Sequence, residues 1–329
     1  MVPARFSATA WMPRGRRVLV LLMVLVLVLA ACGGPEMAPA PSTTEPTAPA
    51  GDAPGVSTPG ATESPAVTPE TTPEPAASPV SPSPEASPSP AAERQVNVYF
   101  IRDEKIATAH RQIPASPRPA TEAIQALLAG PTEAEQAAGM STAIPEGTTL
   151  NGIVIEAGLA TVDLSGDFES GGGSFSMLAR LAQVVYTLTQ FPTVEQVRFE
   201  LDGQPVEVFG SEGIALDQPV SRATYEDLTP AILVESPAIG DTVSGPLQAS
   251  GTANVFEATF QIEILDEAGN QLAHQVVTAT SGSGMRGTFD VTIPFTVSEP
   301  GSGTVVAYEL SAKDGSRINE VRIPVEFQP

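Results

Sequence analysis

Proline sets the first limit on where this chain can fold. Of its 33 prolines, 16 lie between residues 33 and 94, set among Ser, Thr, Ala and Glu. Proline lacks an N–H and locks φ, so such a tract builds neither ladders nor helices, and its few apolar side chains cannot form a core. The composition favours extended polyproline II. At about 3.1 Å per residue, some 60 residues would reach roughly 190 Å. Residues 32–94 are therefore read as a disordered, passive spacer whose Ser and Thr could carry O-glycans. The rest of the chain, residues 95–329, is long enough for two small domains with modest cores.

The spacer begins at the chain's single cysteine. Arg14, Arg16 and Arg17 precede an apolar run from Val18 to Leu29, and the run ends in Leu29-Ala30-Ala31-Cys32. A basic start, a short apolar middle and small residues at a cleavage site make a secretory signal. Ending it on cysteine makes it a lipoprotein signal, residues 1–31, with Cys32 receiving the lipid through its sulfur. The apolar run is too short for a transmembrane helix, which needs about 20 residues. Acyl chains would supply the membrane anchor instead, and more than one is needed for a stable hold. Met12 is an alternative start, because residues 1–11 add little to the signal. With one cysteine no intrachain disulfide can form, so the exported part must stand on packing alone. The expected location is the extracytoplasmic face of the cell membrane.

Charge narrows the choice of partner. The chain has 16 basic and 38 acidic side chains, and removal of the signal takes four arginines and no acid, leaving 16 − 4 = 12 against 38, or −26. Such a surface repels nucleic acid and anionic headgroups, so nucleic-acid binding is rejected.

Order is expected from Gln95. Val96, Val98 and Phe100 alternate with Asn97, Tyr99 and Ile101 as a strand, and Ile106, Thr108 and His110 continue into a second across the Arg102-Asp103-Glu104 turn. Pro119 opens a helix that stops at Gly130-Pro131, and Thr132 to Glu135 has capping-box spacing for a short second helix. Strands are read at 149–156 and 159–164. A helix over 174–190 is read from the three- and four-residue steps of Phe175, Leu178, Ala182, Val185 and Leu188. A hairpin carries Val197, Phe199 and Leu201 through Asp202-Gly203 to Val206 and Val208. The order β-β-α-α-β-β-α-β-β over 95–225 gives an α+β domain with helices on one sheet face.

On these residues the chain resembles the GerMN domain of sporulation and germination proteins. The likeness is carried by Val96-Asn97-Val98-Tyr99-Phe100, by the helix end at 126–131, and by Thr161-Val162-Asp163-Leu164-Ser165-Gly166-Asp167-Phe168. The helix around 183–189 and the hairpin at 197–203 fit as well. The resemblance implies an assembly or envelope role and no known enzyme, and it does not imply that the organism makes spores.

After a connector at 225–229, helix signals stop. Seven strands are read at 232–235, 247–252, 259–265, 271–279, 286–293, 304–312 and 318–327, which gives an immunoglobulin-like sandwich over 230–329. The segment resembles the immunoglobulin-like domain that accompanies GerMN in bacterial lipoproteins, through Glu235-Ser236-Pro237, Ser250 to Ala253 and Gly287-Thr288-Phe289.

Candidate chemistry is thin. His110 and His274 fall in different domains, far from the three or four ligands a zinc site takes, so no metal or cofactor is expected. Asp163 and Asp167 could act as acid and base on a cell-wall glycan, but the Ser and Gly around them favour a turn. Gly171-Gly172-Gly173-Ser174 lacks the Lys-Ser/Thr ending of a phosphate loop and reads as a flexible lead into a helix. Asp266 and Asn270 suit a hairpin turn better than calcium. The expectation is a non-catalytic surface lipoprotein that binds an envelope protein or cell-wall polymer, with exposed strand edges as docking surfaces. The alternatives are a glycan hydrolase using Asp163 or Asp167, and a small-ligand receptor, which would need an apolar pocket between the two domains.

Overall fold

The computed structural model describes residues 92–329. The signal, Cys32 and the spacer through residue 91 lie outside the described residues; the spacer ends earlier than expected, because Glu93 and Arg94 already pair with Pro114 and Ile113.

The first half opens with a hairpin, β1 (Glu93–Arg102) and β2 (Lys105–Pro114), paired in register across a two-residue turn at Asp103 and Glu104, both at positive φ. Two helices come next. α1 (Pro119–Leu128) starts on its proline, where a missing N–H costs nothing. α2 (Glu133–Ala137) is opened by the reciprocal Thr132–Glu135 capping box read from the sequence. Glu135 is also gripped by Arg111 of β2 at 2.6 and 2.7 Å. Burial alone would raise the Glu135 pKa, but the hydrogen bonds and charge of Arg111 outweigh it and hold the carboxyl below its usual value.

Beyond them lie β3 (Leu150–Glu156) and β4 (Gly158–Leu164), antiparallel, a 3-10 turn over Gly166–Glu169, and α3 (Ser174–Leu188). α3 crosses over to β5 (Val194–Leu201), which pairs with β4 in parallel. The returning strand β6 is only Gln204–Pro205, and β7 (Val208–Phe209) pairs with β8 (Ile214–Ala215) in a separate small hairpin. Val208 is thus not on the return strand expected for it: the chain leaves β5 after the Val206 amide donates to the Phe199 carbonyl, and Val208 pairs with Ala215 instead.

The element order holds, but the strands do not form one sheet under a layer of helices. The β1–β2 hairpin and the four-stranded β3-β4-β5-β6 sheet are separate, and α1 and α3 pack against strands of both. That position changes α3. Phe175 and Leu178, expected to face the core, are exposed, whereas from Ala179 to Leu188 every residue is buried, Gln183 and Thr187 included. A helix enclosed by two sheets has little solvent face, so its polar residues must find internal partners. Gln183 donates to the Tyr99 carbonyl and accepts from the Ala143 amide, and Thr187 accepts from the Tyr99 amide.

The second half is a sandwich. Its strands are β9 (Ile232–Ser236), β10 (Thr242–Val243), β11 (Leu247–Ala253), β12 (Thr259–Asp266), β13 (Gln271–Thr278), β14 (Gly287–Ile293), β15 (Gly301–Leu310) and β16 (Arg317–Phe327). One sheet runs β10-β16-β15-β12-β13, the other β14-β11-β9. Between them lie Phe260, Ile262, Ile264, Phe289, Val305 and Ile323, without a disulfide. Gly251 sits at a register shift between β11 and β9. A Cβ there would come within 2.1 Å of the Leu233 carbonyl oxygen, so the close approach of the two strands requires glycine.

β9 belongs to both halves. Ile232 and Val234 point into the sandwich core, and Leu233 between them packs into the first core. Alternation along one strand therefore fastens the two halves along a shared apolar seam.

Candidate functional site at the junction of the two halves

Polar groups converge on this seam from five elements. Tyr99 on β1, His110 on β2 and Tyr186 on α3 come from the first half. Arg222 belongs to a 3-10 segment, Arg222–Leu228, and Glu235 to β9. Arg222 donates to Glu235 Oε1 at 2.8 Å and to the Tyr99 hydroxyl at 3.1 Å, and its guanidinium carbon lies 4.7 Å from the Tyr186 ring centre and 5.3 Å from that of Tyr99. Tyr99 in turn donates to Glu235 Oε1. Burial, reinforced by the Glu235 charge and opposed by Arg222, pushes the Tyr99 hydroxyl well above its usual pKa. Desolvation would lower the Arg222 pKa, but the charge and hydrogen bond of Glu235 work against it and the pKa is raised.

Beside this group His110 Nε2 meets the Glu235 carbonyl at 2.9 Å, and Nδ1 meets Asp241 Oδ2 at 2.7 Å. Burial disfavours the imidazolium, but the hydrogen bond and charge of Asp241 prevail and raise the His110 pKa. Farther along, Glu226 accepts from Arg286 at 3.0 Å and from Asn254 at 2.9 Å. Desolvation would raise the Glu226 pKa; Arg286 overrides it and lowers it. The 225–229 stretch, read from sequence as a connector, is held from both sides.

The same junction forms a partly open cavity of about 270 Å³. Its walls include Ile106 and Met140 from the first half and Leu233, Ile239, Val321 and Ile323 from the second. Three cations, Arg102, Lys105 and Arg322, also line it. Arg322 pairs with Glu320 at 3.0 Å and Arg102 stands 3.9 Å from the freely exposed Asp103, whereas Lys105 is in none of the described ion pairs. Thr108, another lining residue, is 5% exposed and its hydroxyl has no hydrogen-bond partner in the protein.

Other sequence candidates fall elsewhere. Asp163 Oδ1 accepts from the Gly203 amide at 3.0 Å and from Asn151, closing the β4–β5 end. Asp167 is exposed on the 3-10 turn, and Glu169 accepts from the Gly210 amide at 2.6 Å, pinning the small hairpin. The acidic run is thus used mostly in turn closure and joins none of the junction groups. The glycine run is not slack. Arg180, 2% exposed, donates to the carbonyls of Phe168 at 2.7 Å, Ser170 at 3.0 Å and Gly171 at 3.1 Å, so the loop turns its oxygens inward onto a cation. Gly172 has φ +87°, and a Cβ there would meet Arg180 Nη2 at 2.8 Å. His274 bonds Gln261 on an exposed face, and Asp266 holds both the amide and the side chain of Asn270 in a hairpin turn. Among the described residues no group of three or more His, Cys, Asp and Glu is placed to hold a metal, and no helix is long and apolar enough to cross a membrane.

The junction was not read from sequence. By sequence His110 is only a strand-face residue, Arg180 and Arg222 carry no motif, and Glu235 stands in a family-like segment that gives it no ion-pair role. The one signal present was the unbroken apolar run Ile232-Leu233-Val234, which a strand with one solvated face would not show.

Comparison with known proteins bears on both halves. Residues 97–207 match the Germane family, described as sporulation and spore germination. Residues 231–316 match Gmad2, the immunoglobulin-like domain of bacterial spore germination. No curated protein matches. Among solved structures, the first GerMN domain of the sporulation protein GerM from Bacillus subtilis is 22% identical, with 40% of this chain and 98% of that one covered and a TM-score of 0.34. The tandem GerMN domains of the same protein are 15% identical, with 62% of each chain covered and a TM-score of 0.36. A candidate lipoprotein from Clostridium perfringens is 22% identical, with 42% and 93% covered and a TM-score of 0.31. Two segments of the chain thus match families in succession, residues 97–207 the sporulation and spore germination family and residues 231–316 the immunoglobulin-like domain of bacterial spore germination.

Proposed function

We propose that this protein is a lipid-anchored extracytoplasmic component that binds or assembles with an envelope protein or a cell-wall polymer and does no chemistry on it. The observation that carries this reading is where the buried and half-buried polar groups go. Arg180 holds a loop, Arg222 and Glu235 hold two halves together, and Asp163 closes a turn, so of the groups that could serve catalysis most are committed to structure and Asp167 stands alone on an exposed turn. Rigid two-domain bodies with free strand edges are suited to docking by strand addition. β3 and β13 are both edge strands, and Val154 and Ile155 on the first and Val276 on the second are exposed. Support for the anchor is the Leu29-Ala30-Ala31-Cys32 sequence after an apolar run.

Affinity capture from intact envelopes tests the reading, with wild type compared against Cys32→Ala. A specific partner or wall polymer recovered with wild type, and the variant lost to the soluble fraction, is the expected result. Unchanged membrane association of Cys32→Ala overturns the anchor. Release of soluble fragments from peptidoglycan by the purified protein, stopped by Asp167→Asn, overturns the non-catalytic role.

A further inference from the structure

The cavity at the junction has three properties seldom found together by chance. Both halves supply apolar wall, as Ile106, Met140, Leu233 and Ile323 show. A wall residue, Thr108, is buried with its hydroxyl unpartnered, an unusual state for an interior polar group. Three basic residues line this one cavity against two carboxylates, Asp103 and Glu320, although acids outnumber bases 38 to 16 over the chain. Arg102 and Arg322 have carboxylates near them, but Lys105 has only the carbonyl oxygen of Asp227, at 2.5 Å. A lysine whose only hydrogen-bond partner is a backbone carbonyl keeps its charge available to an anion.

We propose that this cavity binds a small amphiphile with one anionic head, of the medium-chain carboxylate class, with the chain among the apolar walls and the head at Lys105. Size supports the class. A cavity of about 150 Å³ accommodates benzene, and in proportion 270 Å³ holds about ten heavy atoms. That is an eight-carbon acid and falls far short of a two-chain membrane lipid. The site depends on neither the lipid anchor nor a macromolecular partner, so it stands or falls apart from the docking role proposed for the chain.

Octanoate titrated into the full chain, followed by calorimetry, tests this. Saturable one-to-one binding is expected, with Kd of roughly 0.1–1 mM for a ligand of this size. Lys105→Glu, at an exposed position, should weaken binding about tenfold without moving the melting temperature, the loss expected for one charge-assisted contact. Ala107→Leu, which reduces the volume, should weaken octanoate more than butyrate. 1-Octanol should bind less tightly than octanoate, and phosphatidylglycerol vesicles should not compete. Absence of saturable binding, equal affinity for octanol, competition by vesicles, or octanoate binding untouched by both variants would each overturn the proposal.

Discussion

Arg180 and Arg222 are both drawn largely out of water, yet one is answered only by oxygens of its own domain and the other by a carboxylate and two aromatic rings. The first sits within a single domain and fixes a loop twelve residues or fewer away. The second, paired with Glu235 13 residues away, also reaches Tyr99 on β1, 123 residues away, and so ties β1 to β9. Carbonyl dipoles are numerous and local, so they can neutralise a cation only where one short stretch wraps it. A charge that joins distant elements needs a formal counter-charge, and Glu235 provides it.

Substituting each arginine should separate the two modes. Arg180→Met leaves one buried and two part-buried carbonyls without their donor, about 1–3 kcal/mol for the first and less for each of the others, so a loss of about 4 kcal/mol in denaturant unfolding is expected, with the first half melting earlier. Leu233→Ala opens the seam between the cores and should cost about 3 kcal/mol. Arg222→Met removes the link but not the apolar seam, and its partners are partly solvated, so about 2 kcal/mol is expected. If Arg222→Met proved costlier than Arg180→Met, the contrast between local and distant partners would be wrong.

Acidity probes the junction more gently. The folded-state pKa of His110 is raised, so its contribution is complete below the unfolded value of about 6.5 and is lost as pH rises through the higher folded value. The groups facing it are Asp241, Glu235, Arg111 and Gln95. Glu135 and Glu226 are lowered, so their contributions are lost only at acid pH, below about 4.5, and stay constant across the neutral range. Stability measured at pH 6 should therefore exceed that at pH 8, and His110→Gln should flatten the difference. The smallest effect is expected at Asp167→Asn, which alters an exposed turn and should move stability by less than about 0.5 kcal/mol.

Local rules carried the sequence reading far. The Thr132–Glu135 capping box, the start of α1 on Pro119, and the strands of the sandwich all rest on neighbours within a few residues, and all are present. What escaped was set by distance. The parallel pairing of β4 with β5 depends on a crossover, the burial of Arg180 on a loop folding back over α3, and the Tyr99–Glu235 contact spans 136 positions. Phe175 and Leu178 misled for the same reason: their spacing is that of a core stripe, and only the second sheet decides which side of α3 is covered. Val208 misled because the chain turns away from β5 after Val206 and pairs with Ile214–Ala215, a partner that alternation does not name.

The placement of Leu233 also bears on how such molecules can be taken apart. A cut at residue 230, just ahead of the second family segment, would not release two finished pieces. The front piece would lose the plug that seals its base, and the rear piece would show a greasy flank to water. A replacement rear module would have to bring its own plug, which makes this joint a place where recombination is penalised.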